Sequence, residues 1–167
     1  MRARERRPET PGNADPVEAR ASTLPDALQF MRLLWAIVHG LQKRSKRMSS
    51  DLGVTGPQRL ALRVIGLFPG VSAGTLASIL HVHPSTLTGV LRRLTARGML
   101  RRSEHVGDRR RAVLTLTTKG ARVNAMRAGT VESAVIEALE AVPAPDRHSA
   151  QRVLSRLARS LGSGRER

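Results

Sequence analysis

Cysteine and tyrosine are absent from this 167-residue chain, and one tryptophan and two phenylalanines are its only large aromatic residues. Without cysteine there can be no disulfide framework, no thiolate metal site and no thiol-based peroxide sensor. So few rings leave little to stack unpaired bases, which disfavours single-stranded RNA as a ligand. No apolar run approaches the roughly 18 residues of a membrane-spanning helix. The start, Met1-Arg2-Ala3-Arg4-Glu5, lacks the apolar centre of a secretory signal. These absences predict a soluble, cytoplasmic protein without a membrane partner. A glycine-rich phosphate loop and a His-Glu-x-x-His pair are also missing, so neither an enzyme nor a cofactor is expected.

What the chain has in excess is positive charge. Lysine and arginine number 29 against 13 acidic residues, a formal net charge of +16. Such a surface suits polyanions, nucleic acid above all. The excess is local: residues 84–122 carry ten basic and two acidic side chains, whereas residues 1–22 carry five and four. The length fits one ordinary domain with extensions.

Residues 1–22 mix Arg, Glu, Pro and Gly with few large apolar side chains and read as a disordered arm. From 24 to about 47, Ala27, Met31, Leu34, Val38 and Leu41 recur every three or four positions, the stripe of a long helix, widened by Leu28, Trp35 and Ile37. Thr55-Gly56-Pro57-Gln58 has the form of a capping box and opens a helix to about Leu67. Ser72 caps a short helix whose Leu76, Ile79 and Leu80 are expected to face inward. After a turn at His81-Val82-His83, Pro84 opens a helix that ends at Arg97-Gly98. Residues 99–103 and 111–116 flank a Gly-Asp turn and read as a β-hairpin. Thr117-Thr118 starts one long helix to about Ala141, and Pro143-Ala144-Pro145 separates it from a last helix over residues 146 to about 161. The tail from 162 to 167 is expected to be flexible.

The Pro84 helix carries the function. At 100° per residue, Leu87, Val90, Leu91 and Leu94 fall together on the side that should be buried. The opposite side belongs to Ser85, Gly89, Arg92 and Ala96, with Thr88 and Arg93 beside it. Small residues there allow close approach, and hydroxyl and guanidinium groups can bond to DNA. The first turn adds free N–H groups beside Ser85 and Thr86, suited to phosphate, as is His83. At the hairpin tip, Asp108 can orient Arg110 towards a narrow minor groove, while Arg109 and Arg111 meet backbone phosphates. A helix filling a major groove beside a hairpin reaching the minor groove is a known way of holding a duplex. His81 and His83 form a His-x-His pair, but with no cysteine or carboxylate set nearby no metal site is expected.

The ordered set of these motifs resembles the MarR family of winged helix-turn-helix transcriptional regulators. It comprises His81-Val82-His83-Pro84-Ser85-Thr86-Leu87-Thr88, Leu91-Arg92-Arg93-Leu94, Arg97-Gly98-Met99-Leu100-Arg101-Arg102, Asp108-Arg109-Arg110-Arg111-Ala112-Val113-Leu114 and Leu116-Thr117-Thr118-Lys119-Gly120. Gly89 departs from it, because many relatives carry a longer polar or basic side chain there. So does the wing approach Glu104-His105-Val106-Gly107, where a proline-containing turn is commoner. The resemblance implies a mostly α fold with a small β-hairpin wing. It implies a domain over 23–161, with 23–47 and 118–161 as dimerisation helices and 55–117 as the DNA-binding lobe. It further implies a homodimeric repressor on a pseudo-palindromic operator, released by a small aromatic or phenolic effector that Trp35 and His39 would border. The rival reading is a non-specific architectural nucleic-acid-binding protein, in which charge supplies all the affinity.

Overall fold

The structure, a computed structural model, describes residues 24–105 and 108–162, apart from the side chains of residues 104, 105 and 108–111. The arm over 1–22 lies outside the described residues, as do Val106, Gly107 and the tail from 163. The chain divides into two units at Gly40. The boundary falls within the first helix, α1 (Asp26–Leu52), which runs five residues further than its apolar stripe predicts. In the N-terminal unit the α1 side chains Leu28, Met31, Trp35, Ile37 and Val38 are exposed.

The second unit holds the winged lobe and the C-terminal helices. Its first full helix, α2 (Gly56–Leu67), starts as the capping box predicts, with the Thr55 N–H donating to Gln58 Oε1 at 3.0 Å. A short strand, β1 (Val71–Ser72), leads into α3 (Ala73–Leu80), where Ser72 Oγ accepts the Thr75 N–H at 3.1 Å. Leu76 and Ala77 face the core, but Ile79 is exposed, contrary to the sequence expectation. The reason is angular. Ala73, Leu76, Ala77 and Leu80 span one side of α3, and Ile79 lies about 110° from the middle of that arc.

The helix α4 (Pro84–Ala96) is followed by β2 (Leu100–His105) and β3 (Asp108–Leu116). The sheet is antiparallel with three strands in the order β1-β3-β2, where the sequence suggested two. Val71 pairs with Leu114 and Ser72 with Val113, so β1 pins the wing to the entry of α3. On the other side β2 and β3 pair from Leu100↔Leu116 to Glu104↔Ala112. An irregularity then brings His105 opposite Asp108. The residues assigned to the hairpin tip, Asp108 to Arg111, thus belong to the backbone of β3. The core combines Leu62 and Ile65 of α2, Leu76 of α3, Leu87 and Leu94 of α4, and Leu114 of β3.

The single long helix expected from 118 to 141 is two helices, α5 (Thr118–Ala125) and α6 (Val131–Glu140). Met126 leaves α5 in an extended conformation, φ −62° and ψ 138°, Gly129 turns the chain with a left-handed φ of 72°, and Thr130 Oγ1 accepts the Ser133 N–H to cap the new helix. A last helix, α7 (Ala144–Gly162), follows. No helix among the described residues is long and apolar enough to cross a membrane.

Arg59 explains how the break between α5 and α6 is held. It is 1% exposed, and it meets Glu132 through Nε and Nη2 at 3.0 and 2.9 Å, a two-pronged pairing. Its Nη1 and Nη2 also donate to the carbonyl oxygens of Val123, which already accepts the Met126 N–H, and of Met126 just past the helix end. Arg63 and Arg127 reach the same Glu132 oxygen at 3.1 and 3.3 Å. Partial burial pushes the Glu132 carboxyl up. The Arg59 hydrogen bond and the charges of Arg59, Arg63 and Arg127 outweigh that and hold it below the usual carboxylate range.

Candidate nucleic-acid interface

Two features of sequence make the turn between α3 and α4. His81 ends α3 in the left-handed conformation, φ 51°, and the Val82 N–H donates to the Ala77 carbonyl. His83 then caps α4: its Nδ1 accepts the Ser85 N–H at 3.3 Å and lies 2.7 Å from Ser85 Oγ. With Nδ1 so engaged, Nε2 is the nitrogen left for an outside acceptor. Pro84 fills the first helical turn, where its missing N–H costs nothing. At the far end Arg97 donates to the Gly53 carbonyl, a tie between the end of α4 and the end of α1. Thr117 Oγ1 bonds the Gly98 carbonyl at 2.6 Å and also caps α5, so α4, the sheet and α5 share one junction.

This frame sets the faces of α4. Leu87, Val90, Leu91 and Leu94 are all buried, between 0 and 7% exposed. Ser85, Thr86, Thr88, Arg92, Arg93 and Ala96 are exposed, and Gly89 is half-buried among them. Thr88 Oγ1 donates back to the Pro84 carbonyl at 2.9 Å and keeps its lone pairs for another donor. Among the described residues no carboxylate pairs with Arg92 or Arg93, and both are exposed. Asp108, Arg109, Arg110 and Arg111 lie outside the described side chains. Trp35 and His39 are exposed on α1 in the N-terminal unit.

Beside α4 lies a cleft of about 500 Å³, lined among others by Ala73, Leu87, Thr88, Leu91, Arg92 and Arg102. Its walls are mainly apolar and two arginines stand at it. Arg102 was not singled out by the sequence, although strand alternation carries the signal. It lies two residues after the buried Leu100 and pairs with the buried Leu114, which puts it on the sheet face shared with the core. Arg59 and Glu132, the other polar residues missed, sit in the support of the lobe.

One spelling favours an enzyme. Gly70-Val71-Ser72-Ala73-Gly74 matches the Gly-x-Ser-x-Gly pattern of a hydrolase elbow, a pattern expected from the sequence to be absent and in fact present. Such an elbow needs a serine on a sharp, strained turn. Ser72 has an ordinary extended backbone, φ −75° and ψ 157°, and its hydroxyl is occupied with the Thr75 N–H and Oγ1. It is a helix cap.

Known proteins agree with this geometry. A sequence model of the MarR family matches residues 52–111. The HTH-type transcriptional repressor Rv2887 of Mycobacterium tuberculosis is 30% identical over 134 residues, covering 80% of this chain and 96% of its own. The crystal structure of that MarR family protein in complex with salicylic acid superposes with a TM-score of 0.50 over 75% of this chain and 93% of its own. The PcaV regulator of Streptomyces coelicolor, solved with its natural ligand, gives 0.66 at 24% identity, covering 81% and 95%. The MepR–DNA complex of S. aureus also gives 0.66, at 18% identity, covering 79% and 97%. These last two speak for the fold. With the winged lobe, the open face of α4 and a relative of this identity and coverage, the chain belongs to the MarR family of DNA-binding transcriptional regulators.

Proposed function

We propose that the chain represses transcription as a homodimer on a pseudo-palindromic operator, and that a small aromatic acid releases it. The observation that carries the reading is the division of α4. Its four large aliphatic side chains are buried, while Ser85, Thr88, Arg92 and Arg93 are presented on the surface. Hydroxyl and guanidinium groups on a helix of this kind suit base edges and phosphates in a major groove. His83 Nε2 and the first-turn N–H of Thr86 suit the flanking phosphates, the Ser85 N–H being given to His83 Nδ1. Arg109, Arg110 and Arg111 of the wing, with Asp108 orienting Arg110, would meet the strand edge and the adjacent minor groove. Exposed Leu28, Met31, Trp35 and Val38 on α1, and Leu154 and Leu161 on α7, support a dimer, since apolar faces of this extent are rarely left to water.

An effector suits the cleft beside α4. A ring would lie against Leu87 and Leu91, and a carboxylate would meet Arg102 and Arg92 together, taking Arg92 away from DNA. Salicylic acid bound to Rv2887 supports that ligand class; Trp35 and His39 are the alternative contacts. The test starts from random-sequence duplexes enriched by binding to the full chain. An inverted repeat should emerge, and salicylate should release it with a dependence on Arg102. Enrichment of a single unrepeated site contradicts the dimeric reading. Release unchanged by Arg102→Ala contradicts the cleft.

A further inference from the structure

We infer that Gly89 is the point at which the backbone of α4 itself lies against the duplex, and that it sets which bases this protein accepts there. The inference rests on the reading of α4 just proposed. Glycine is the poorest helix former after proline, so its place in the middle of α4 needs a reason. The fold supplies none. Gly89 has no left-handed φ, and a Cβ built on it meets only the flexible end of Arg93, Nη2 at 3.9 Å. Gly120 shows the contrast, because a Cβ there would run into the Met99 carbonyl oxygen of the packed lobe. The space above Gly89 is open in the free chain and lies on one strip with Ser85, Arg92, Arg93 and Ala96, all exposed. It stands near the middle of that strip, about one turn beyond Ser85 and one turn before Arg92 and Arg93.

A helix bare at its centre and carrying long cations one turn later can enter a groove more deeply than one with a side chain at each position. An added methyl group at the centre would hold the helix away and lengthen the bonds of Arg92 and Arg93 together, where hydrogen bonds weaken steeply. Specificity at the facing base pairs then comes from closeness of backbone and base edge. The experiment uses the full chain with Gly89→Ala and random-sequence duplexes two helical turns long. The wild-type chain should first enrich a sequence; if none is enriched, the DNA reading itself fails. On the enriched duplex, Gly89→Ala should bind about tenfold or more weakly, with a larger loss than on scrambled DNA, and should melt at the same or a higher temperature. Re-selection with the variant should change the bases preferred at the centre of each half-site. Undiminished affinity with unchanged preference would overturn the inference while leaving the DNA reading intact. A lowered melting temperature would overturn it too, because the fold would then be what needs the glycine.

Discussion

Arg92 and Arg93 stand one turn beyond Gly89 with no carboxylate to hold them among the described residues, and a guanidinium in that position has most to gain from a base edge or phosphate. Replacing Arg92 with Ala should weaken binding to the selected duplex by about 1–3 kcal/mol and cost less on random DNA. Equal losses in a titration of both would assign Arg92 to phosphate alone. For the wing, Arg110→Ala should lower affinity most where A·T-rich steps flank the half-sites, since a narrow minor groove concentrates negative potential. Indifference of the defect to flank composition would remove minor-groove insertion. His83 shows how a residue can be read incompletely: the sequence offers it as a phosphate ligand, and the structure adds its work as the cap of α4 through Nδ1.

At the scale of elements, α4 was legible because two signals coincide, apolar residues at helical spacing and terminal punctuation by Pro84 and Gly98. What the sequence hid has a common cause in distance or shortness. Two residues of β1 are too few to show alternation. Arg59 and Glu132 are 73 positions apart, and each alone reads as a solvated charge. The α5–α6 break was hidden because Gly129 and Thr130 interrupt a stretch otherwise rich in helix formers. Arg59 closes that break, and Arg59→Met should destabilise the chain by about 1–3 kcal/mol in denaturant unfolding, for it removes a buried two-pronged pairing and two bonds to carbonyls while Arg63 and Arg127 still hold Glu132. Glu132 gives the pH dependence its sign. Its folded value lies below the ordinary 4.5, so its contribution is fully present above that value and fades as pH falls through the folded one. Wild type should therefore lose stability in that acid window more steeply than Glu132→Gln; parallel curves would show that the arginine cluster adds nothing.

For the whole molecule, charge and symmetry decide between regulator and packing protein. A net charge of +16 guarantees affinity for any duplex at low salt, so tight binding alone distinguishes nothing. Sedimentation at micromolar concentration should show a dimer, because the apolar side chains of α1 and α7 are exposed in the single chain; a stable monomer would leave those faces unexplained. The family and the winged fold could be read from some fifty residues at matching spacing, whereas a binding partner for the cleft had no signature before Arg102 and Leu91 were brought together in space. The account depends on the polar side of α4 discriminating one duplex from another. A competition titration at fixed, near-physiological salt measures this directly, with the enriched duplex bound and its own scrambled sequence as competitor. The scrambled duplex should be needed at about a thousandfold excess or more; displacement at equal concentration would mean that charge alone holds the DNA.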